Sequence, residues 1–208
     1  MKLCLFVAAL ALLRVQAQTP DLAGVWLPAA VTDISSGADV PFLPWAQAKF
    51  QENSSAKQSD SALRCLPPGV PRIMFMARPF EIVEKSSRIL FLYEGGAHVW
   101  RQVWMDGRAH PQDPNPDWLG HSIGHWEGRT LVVDSVGFND KTWLDDAGHP
   151  HTEQLHVIEK LTRANQRMMK YEVTIDDPGA YSRPWNARTT FSLRSNGRLE
   201  EDICLDQL

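Results

Sequence analysis

The stretch GHSIGHWEGRTLVVD, residues 120–134, contains side chains that can move protons or bind metal ions. His121 and His125 are four positions apart, and Asp134 follows an apolar run. Imidazole has an ordinary pKa close to neutral pH, and a neighbouring carboxylate can fix its tautomer. The stretch therefore predicts a proton-transfer site, a metal site, or only a polar strand edge.

Strand pairing decides between these readings. A two-residue turn at Glu127-Gly128 would place His121 directly opposite Asp134, with Cβ atoms about 4.5–5.5 Å apart. In that case His121 and Asp134 form a general acid/base pair, assisted by His125. Aliphatic neighbours on the same face favour an orientation into the fold interior. If the face points outward, the pair is an ordinary cross-strand contact.

A metal site is the alternative for the histidines. On a regular strand, His121 and His125 would lie about 13 Å apart, too far to bind the same ion. His149 and His151 have better ligand spacing, and His156 is near in the sequence. A zinc site needs a third protein ligand. We therefore assign no metal ligand, and metal-dependent chemistry at His149 and His151 stays an alternative.

The elements that would position these residues are short β runs separated by turn residues. We predict strands at 22–28, 80–84, 88–94, 97–105, 119–126, 129–135, 154–161, 167–175 and 187–193. One short N-terminal helix is predicted to begin at Pro44 and to include Phe50. This spacing predicts an all-β fold, an antiparallel up-and-down barrel of about eight or nine strands.

Two stretches resemble known families. Gly24-Val25-Trp26 on the first strand resembles the G-x-W that opens lipocalin-like (calycin-type) barrels, where the tryptophan packs near an arginine from the last strand. Arg188 and Arg194 are the candidates for that arginine. The blocks RCLPPGVPR and GHW-EG-TLVVD-GFND-TWLD-GHPH closely resemble a family of secreted bacterial proteins. This second resemblance implies no particular activity.

An aromatic face is predicted from two turns. A two-residue turn at Gly95-Gly96, together with one at Ser86-Ser87, aligns three strands so that their aromatic side chains share a face. This face is either a filled core or the wall of a pocket for a flat apolar molecule. The candidate substrate-binding residues on it are Phe80, Phe91, Tyr93, His98, Trp100 and Trp104.

The N-terminus has the pattern of a secretory signal peptide. Met1-Lys2 is basic, residues 3–13 are apolar, and cleavage is expected after Ala17. We therefore expect a signal peptide at 1–17, a single barrel domain at 18–208, and a secreted or periplasmic protein. Two cysteines, Cys65 and Cys204, would then remain, and in an oxidising compartment they are expected to form a disulfide.

Composition excludes several classes of function. The formal net charge of the full chain is −4, and loss of Lys2 and Arg14 with the signal peptide leaves −6. No basic block is present that would neutralise phosphates, so we expect no nucleic-acid partner. No second long apolar segment follows, so we expect no membrane association after cleavage. There is no G-x-S-x-G elbow or phosphate-binding glycine loop, and no cofactor is expected.

Together these features predict a secreted, small-molecule-binding barrel whose partner is a small apolar or aromatic ligand. The favoured function is a cofactor-independent acid/base enzyme, an isomerase, cyclase or hydro-lyase, that acts on an aromatic or polycyclic substrate. A non-catalytic carrier of an apolar ligand is the second hypothesis, and the metal-dependent enzyme is the third.

Overall fold

The computed structural model describes residues 20–29, 34–35, 39–96 and 98–204. The predicted signal peptide and its cleavage site lie outside the described residues. Within the described part of the chain, no helix is long and apolar enough to cross a membrane.

Nine strands form one closed barrel, in which each strand neighbours the next and the last pairs with the first. Their bounds are β1 Gly24–Pro28, β2 Phe80–Lys85, β3 Arg88–Tyr93, β4 Trp100–Trp104, β5 His121–Glu127, β6 Thr130–Val136, β7 His156–Asn165, β8 Met168–Asp176 and β9 Trp185–Leu193. The predicted all-β barrel is confirmed. One contact differs from a pure up-and-down meander, because β4 and β5 pair in parallel.

The predicted N-terminal helix is α1, Pro44–Ser55, which begins at the expected proline and continues five residues beyond Phe50. Proline suits a first helical turn because its missing N–H would have no partner there. Three short 3₁₀ turns follow, at Lys57–Ser59, Ser61–Arg64 and Arg72–Met74. They lie between α1 and β2, and Cys65 directly follows the second of them.

A disulfide joins Cys65 to Cys204, with Cα atoms 5.6 Å apart. The predicted pairing is confirmed. The bridge closes a loop of 139 residues in sequence, and chain-entropy models give a stabilisation of about 4–5 kcal/mol for loops of this size. It fastens the segment before β2 to the end of the chain.

The barrel interior is packed with aromatic side chains. The Ser86-Ser87 turn has the predicted register, so Phe80 lies opposite Tyr93 and Ile82 opposite Phe91, and all four are almost completely buried. The Phe80 ring lies 6.1 Å from that of Phe91 and 4.9 Å from that of Phe191, centroid to centroid. Phe80, Phe91 and Tyr93 therefore belong to the core.

A charged network crosses this core. Arg101 on β4 and Glu159 on β7 are both almost inaccessible to solvent and form a bidentate salt bridge. Arg101 also donates to the hydroxyls of Ser122 on β5, at 2.9 Å, and Ser135 on β6, at 2.7 Å. The hydroxyl of Tyr171 on β8 donates to Glu159 at 2.9 Å. The network thus ties five consecutive strands together from the inside.

The predicted register of β3 and β4 is wrong. The structure pairs Phe91 with Arg101 rather than with Trp100, because the connection is a loop over residues 94–98 and not a two-residue turn. Ala97, the first residue of the predicted strand 97–105, lies outside the described residues. A shift of one residue exchanges the two faces of a strand. Trp100 and Trp104 consequently lie on the outer face, and Trp100 is 60% exposed.

The predicted register of β5 and β6 is also wrong, but here the error leaves the two faces of the strands unchanged. The turn consists of Gly128-Arg129, with Gly128 at a φ of +60°, instead of Glu127-Gly128. Moving the turn by one residue moves every partner by two, so the faces are preserved. His121 lies opposite Val136, and Asp134 lies opposite Ile123.

The expected inward orientation of the His121 face is wrong as well. Ser122, Leu131, Val133 and Ser135 are the residues of β5 and β6 that are at most 1% exposed, and they point into the barrel. Side chains alternate between the two faces of a strand. His121 and Asp134 therefore lie on the outer surface of the barrel.

The first-strand tryptophan has a cationic neighbour, but not one of the two predicted arginines. Trp26 is fully buried, and its indole N–H donates to the Leu22 carbonyl at 2.8 Å. The guanidinium that lies over its ring, 5.4 Å from the centroid, belongs to Arg163 of β7. Neither Arg188 nor Arg194 of the C-terminal segment fills this role.

The buried ion pair gives a first prediction. Glu159→Gln leaves Arg101 buried without a counter-charge, and we expect the free energy of unfolding to fall by about 3–5 kcal/mol. Urea denaturation followed by circular dichroism measures this. Glu172→Gln, an exposed carboxylate on β8, is the matched control, with an expected change within about 0.5 kcal/mol. Equal effects of the two substitutions would contradict a structural role for the pair.

Candidate functional site

A cleft opens on the barrel surface where β4 and β5 meet. These strands pair through only two residue pairs, Val103 with Ser122 and Trp104 with Ile123, so they diverge on the side where β4 begins. The cleft has a volume of about 530 Å³, within the usual range of small-molecule sites. We call it the tryptophan cleft, lined by Pro67, His98, Val99, Trp100, Arg101, Gln102, Trp104, Asp117, Trp118, Leu119, Gly120, His121 and Ser122.

The loop between β4 and β5 supplies one wall. Asp117 pairs like a strand residue with the segment after β6: its N–H donates to the Gly137 carbonyl, and the Asn139 N–H donates to the Asp117 carbonyl, both at 2.9 Å. Its carboxylate also accepts from the Trp118 N–H at 2.8 Å. These bonds fix Asp117 and Trp118 at the edge of the cleft.

Behind His121 lies a hydrogen-bonded group of four side chains, His110, His121, Asp134 and His156, which we call the histidine cluster. Nδ1 of His121 lies 2.8 Å from Nδ1 of His110. Nε2 of His110 lies 3.2 Å from Oδ1 of Asp134, and Nε2 of His156 lies 2.7 Å from the same oxygen. The cluster runs along the outer surface of β5, β6 and β7.

The direction of the hydrogen bonds follows from the carboxylate. An ionised Asp134 only accepts, so Nε2 of His110 and Nε2 of His156 both carry hydrogen. Neutral His110 then has its lone pair on Nδ1 and accepts from Nδ1–H of His121. This tautomer leaves the lone pair of His121 on Nε2, which makes no hydrogen bond to any residue that the structure describes. His121 therefore offers a basic nitrogen at the cleft.

The electrostatics favour the neutral form of His121. Partial burial lowers the pKa of His121 below the ordinary 6.5, and the neighbouring His110 and Arg108 lower it further. At neutral pH the imidazole is therefore unprotonated and able to accept a proton. This is the state that a general base requires.

His125, the third predicted catalytic residue, is not part of the cluster. It lies at the far end of β5, four residues and about 13 Å from His121 along the strand. Its Nε2 lies 3.2 Å from the Glu127 carboxylate, and its side chain is 60% exposed. The structure does not bring His125 to the cleft.

The predicted substrate-binding residues separate into two groups. Phe80, Phe91 and Tyr93 belong to the packed interior, whereas His98, Trp100 and Trp104 line the cleft. Nε2 of His98 accepts from the backbone N–H of Asp202 at 2.8 Å, which fixes the ring near the C-terminal segment.

The two histidines considered for a metal have structural partners. His149 is stacked on Phe42, with ring centroids 5.3 Å apart, and its Nδ1 lies 2.7 Å from Asp145. Both ring nitrogens of His151 are hydrogen-bonded: Nε2 lies 2.7 Å from the Thr142 hydroxyl, and Nδ1 lies 3.1 Å from the Thr152 carbonyl. Over the described ranges, no group of three or more His, Cys, Asp or Glu residues could hold a metal ion.

Sequence reasoning missed His110 as a cluster residue and considered His156 only as a metal ligand. The sequence did contain a signal for His156. This residue begins β7, and pairing β6 with β7 places Asp134 opposite Ile158. His156 lies two residues before Ile158, on the same face of the strand, and is therefore close to Asp134. His110 lies in an irregular loop, where no periodicity predicts its position.

Comparison with protein-family models, with curated proteins and with solved structures gave no match. The site therefore has to be interpreted from its own geometry.

The lowered pKa of His121 can be tested directly. We expect its imidazole to titrate below pH 6.5 in NMR spectra of the folded protein. Arg108→Gln removes a nearby positive charge and should raise this pKa, while Arg129→Gln, an exposed arginine at the β5–β6 turn, serves as the matched control. A His121 midpoint above 6.5 would contradict the assignment of a neutral base.

Proposed function

We propose that this protein is a cofactor-independent acid/base enzyme that acts on a small planar molecule bound in the tryptophan cleft. One observation carries the proposal: His121 lines an aromatic cleft and is hydrogen-bonded through His110 to the Asp134 carboxylate. A base oriented by a second group and placed beside an apolar binding surface is the arrangement that general base catalysis uses.

The chemistry follows from the proton positions. Nε2 of His121 takes a proton from the substrate, and the resulting imidazolium is stabilised through His110 by the negative charge of Asp134. The same nitrogen then returns the proton to another atom of the substrate, which gives an isomer or closes a ring, or to a leaving hydroxyl, which releases water. Each of these reactions returns His121 to its neutral form, and none requires an external oxidant or reductant.

The aromatic lining supports the substrate class. Trp100, Trp104 and Trp118 line the cleft, and tryptophan rings bind planar molecules by stacking. The resemblance of the first strand to lipocalin-like barrels also favours a small-molecule ligand. The packed interior argues for a site at the outer cleft instead of inside the barrel.

A non-catalytic carrier would use the same cleft. It would need the tryptophans but not the histidine cluster, because binding a flat apolar ligand requires no proton transfer. The two functions therefore differ in their dependence on His121, and a single set of variants separates them.

The test uses a general probe for a base beside an aromatic-binding surface, the ring opening of 5-nitrobenzisoxazole. A base removes the ring C–H proton, the N–O bond breaks, and a coloured cyanophenolate forms. We expect His121→Ala to lower kcat/KM by about 100-fold or more, the range typical of general base catalysis. Asp134→Asn should lower kcat while leaving KM nearly unchanged, because it acts through the cluster.

The pH dependence provides a second readout. Activity should be full above pH 6.5 and fall as the pH drops through the lowered pKa of His121, since protonation removes the base. Lys160→Ala, an exposed outer-face residue of β7 opposite Val132, is the matched control and should leave the rate unchanged. A His121→Ala protein that folds normally and retains the full rate would remove the proposal and favour the carrier.

A further inference from the structure

We infer that the tryptophan cleft selects an organic cation, a flat aromatic molecule that carries a protonated amine. This inference names the substrate class of the proposed function and rests on it for the location of the site. Two features support it: the charges of the side chains at the cleft, and the guanidinium that lies over one of the tryptophan rings.

The positive groups at the cleft are already neutralised or uncharged. Arg101 is buried against Glu159 inside the barrel. Arg108 is paired with Asp106, its Nε lying 2.8 Å from the carboxylate. The pKa of His121 is lowered, so this ring is neutral at pH 7. Arg101, Arg108 and His121 therefore offer no unpaired positive charge to a negatively charged ligand.

Asp117 is a charged residue at the cleft that, unlike the two arginines, has no ion-pair partner among the described residues. Its carboxylate accepts a hydrogen bond from the Trp118 N–H, and no cationic side chain in the described ranges forms an ion pair with it. Its backbone is fixed to the segment after β6, and the bond from the Trp118 N–H orients its carboxylate at the edge of the cleft. An unbalanced negative charge beside aromatic rings favours a cationic ligand.

The molecule itself contains an example of this recognition. The guanidinium of Arg108 lies over the Trp104 ring, with Cζ 3.5 Å from the ring centroid. Tryptophan has the most favourable face for such contacts. One tryptophan of the cleft therefore already binds a planar cation, while Trp100 is 60% exposed and leaves its ring open to a ligand.

The ligand that fits these features has a flat apolar body and a compact positive end. The body would stack on Trp100 and Trp118, the ammonium would donate to the Asp117 carboxylate, and a proton of the ligand would lie within reach of His121. A carboxylate in place of the ammonium would instead be repelled by Asp117. A neutral ligand would keep the stacking and lose the ionic contact.

Calorimetric titration of the full chain with three matched probes tests the inference: 2-phenylethylammonium, 2-phenylethanol and 3-phenylpropanoate. We expect the ammonium to bind about three- to tenfold more tightly than the alcohol, the range for exposed cation–π and ion-pair contacts. The carboxylate should bind most weakly. In 1 M salt, the preference for the ammonium should shrink because the exposed charge is screened.

Variants identify the groups responsible. Asp117→Asn should remove the preference for the ammonium and leave the affinity for the alcohol unchanged. Asp113→Asn, in the same loop but outside the cleft lining, should change neither affinity. Trp100→Ala should weaken all three probes. Equal binding of ammonium and alcohol, tighter binding of the carboxylate, or an Asp117→Asn protein that still prefers the cation would each overturn the inference.

The outcome is separable from that of the proposed function. Binding is measured without turnover, so the selectivity can be read in the His121→Ala protein as well. A cation preference in a protein whose ring-opening rate does not depend on His121 would keep the ligand class and remove the enzyme. A His121-dependent rate without any cation preference would do the reverse.

Discussion

The buried pair of Arg101 and Glu159 is the interaction on which the register of the barrel depends. A guanidinium and a carboxylate can be removed from water only if each finds its full set of partners. Burial alone would lower the pKa of Arg101, but the Glu159 carboxylate outweighs this effect and raises it. Ser122, Ser135 and Tyr171 complete the network from three further strands. A slip of one residue in any of these strands would turn its partner outward and leave a charge or a hydroxyl unsatisfied.

The cleft lies where the contact between two neighbouring strands is short. β4 and β5 share only two residue pairs, and the bond from Arg101 to Ser122 holds them together just beside the point where they diverge. The chain between them crosses the outside of the barrel and brings His110, Asp117 and Trp118 to the surface. The inner network and the outer cleft are thus two sides of the same break in the antiparallel order.

Sequence patterns predicted the parts governed by local rules. Alternation and turn residues gave the nine strands, Pro44 gave the start of the helix, and the cysteine count gave the disulfide. Which residues share a face depended on the turns. The loop at residues 94–98 shifted the pairing of β4 by one residue and exchanged its two faces. The turn at Gly128-Arg129 shifted the pairing of β6 by two residues, so His121 and Asp134 stayed on the same face. Which face is inside could not be predicted, because both faces of β5 and β6 carry aliphatic residues. The contribution of His110 depends on loop geometry, for which the sequence has no periodic signal.

The crossover between β4 and β5 has a consequence for how such a protein can diversify. The strands that carry the buried network tolerate little change, because the network side chains are hydrogen-bonded to partners on other strands. The crossing segment takes no part in that network: Asp117 is fixed to the residues after β6 through backbone hydrogen bonds, and its neighbours contribute side chains to the cleft. Substitutions of those side chains can change the lining of the cleft while the barrel stays the same. Most contacts that hold the barrel together therefore lie in the strands, whereas Asp117, Trp118 and Leu119 of the cleft lining come from the crossing segment and can be substituted separately.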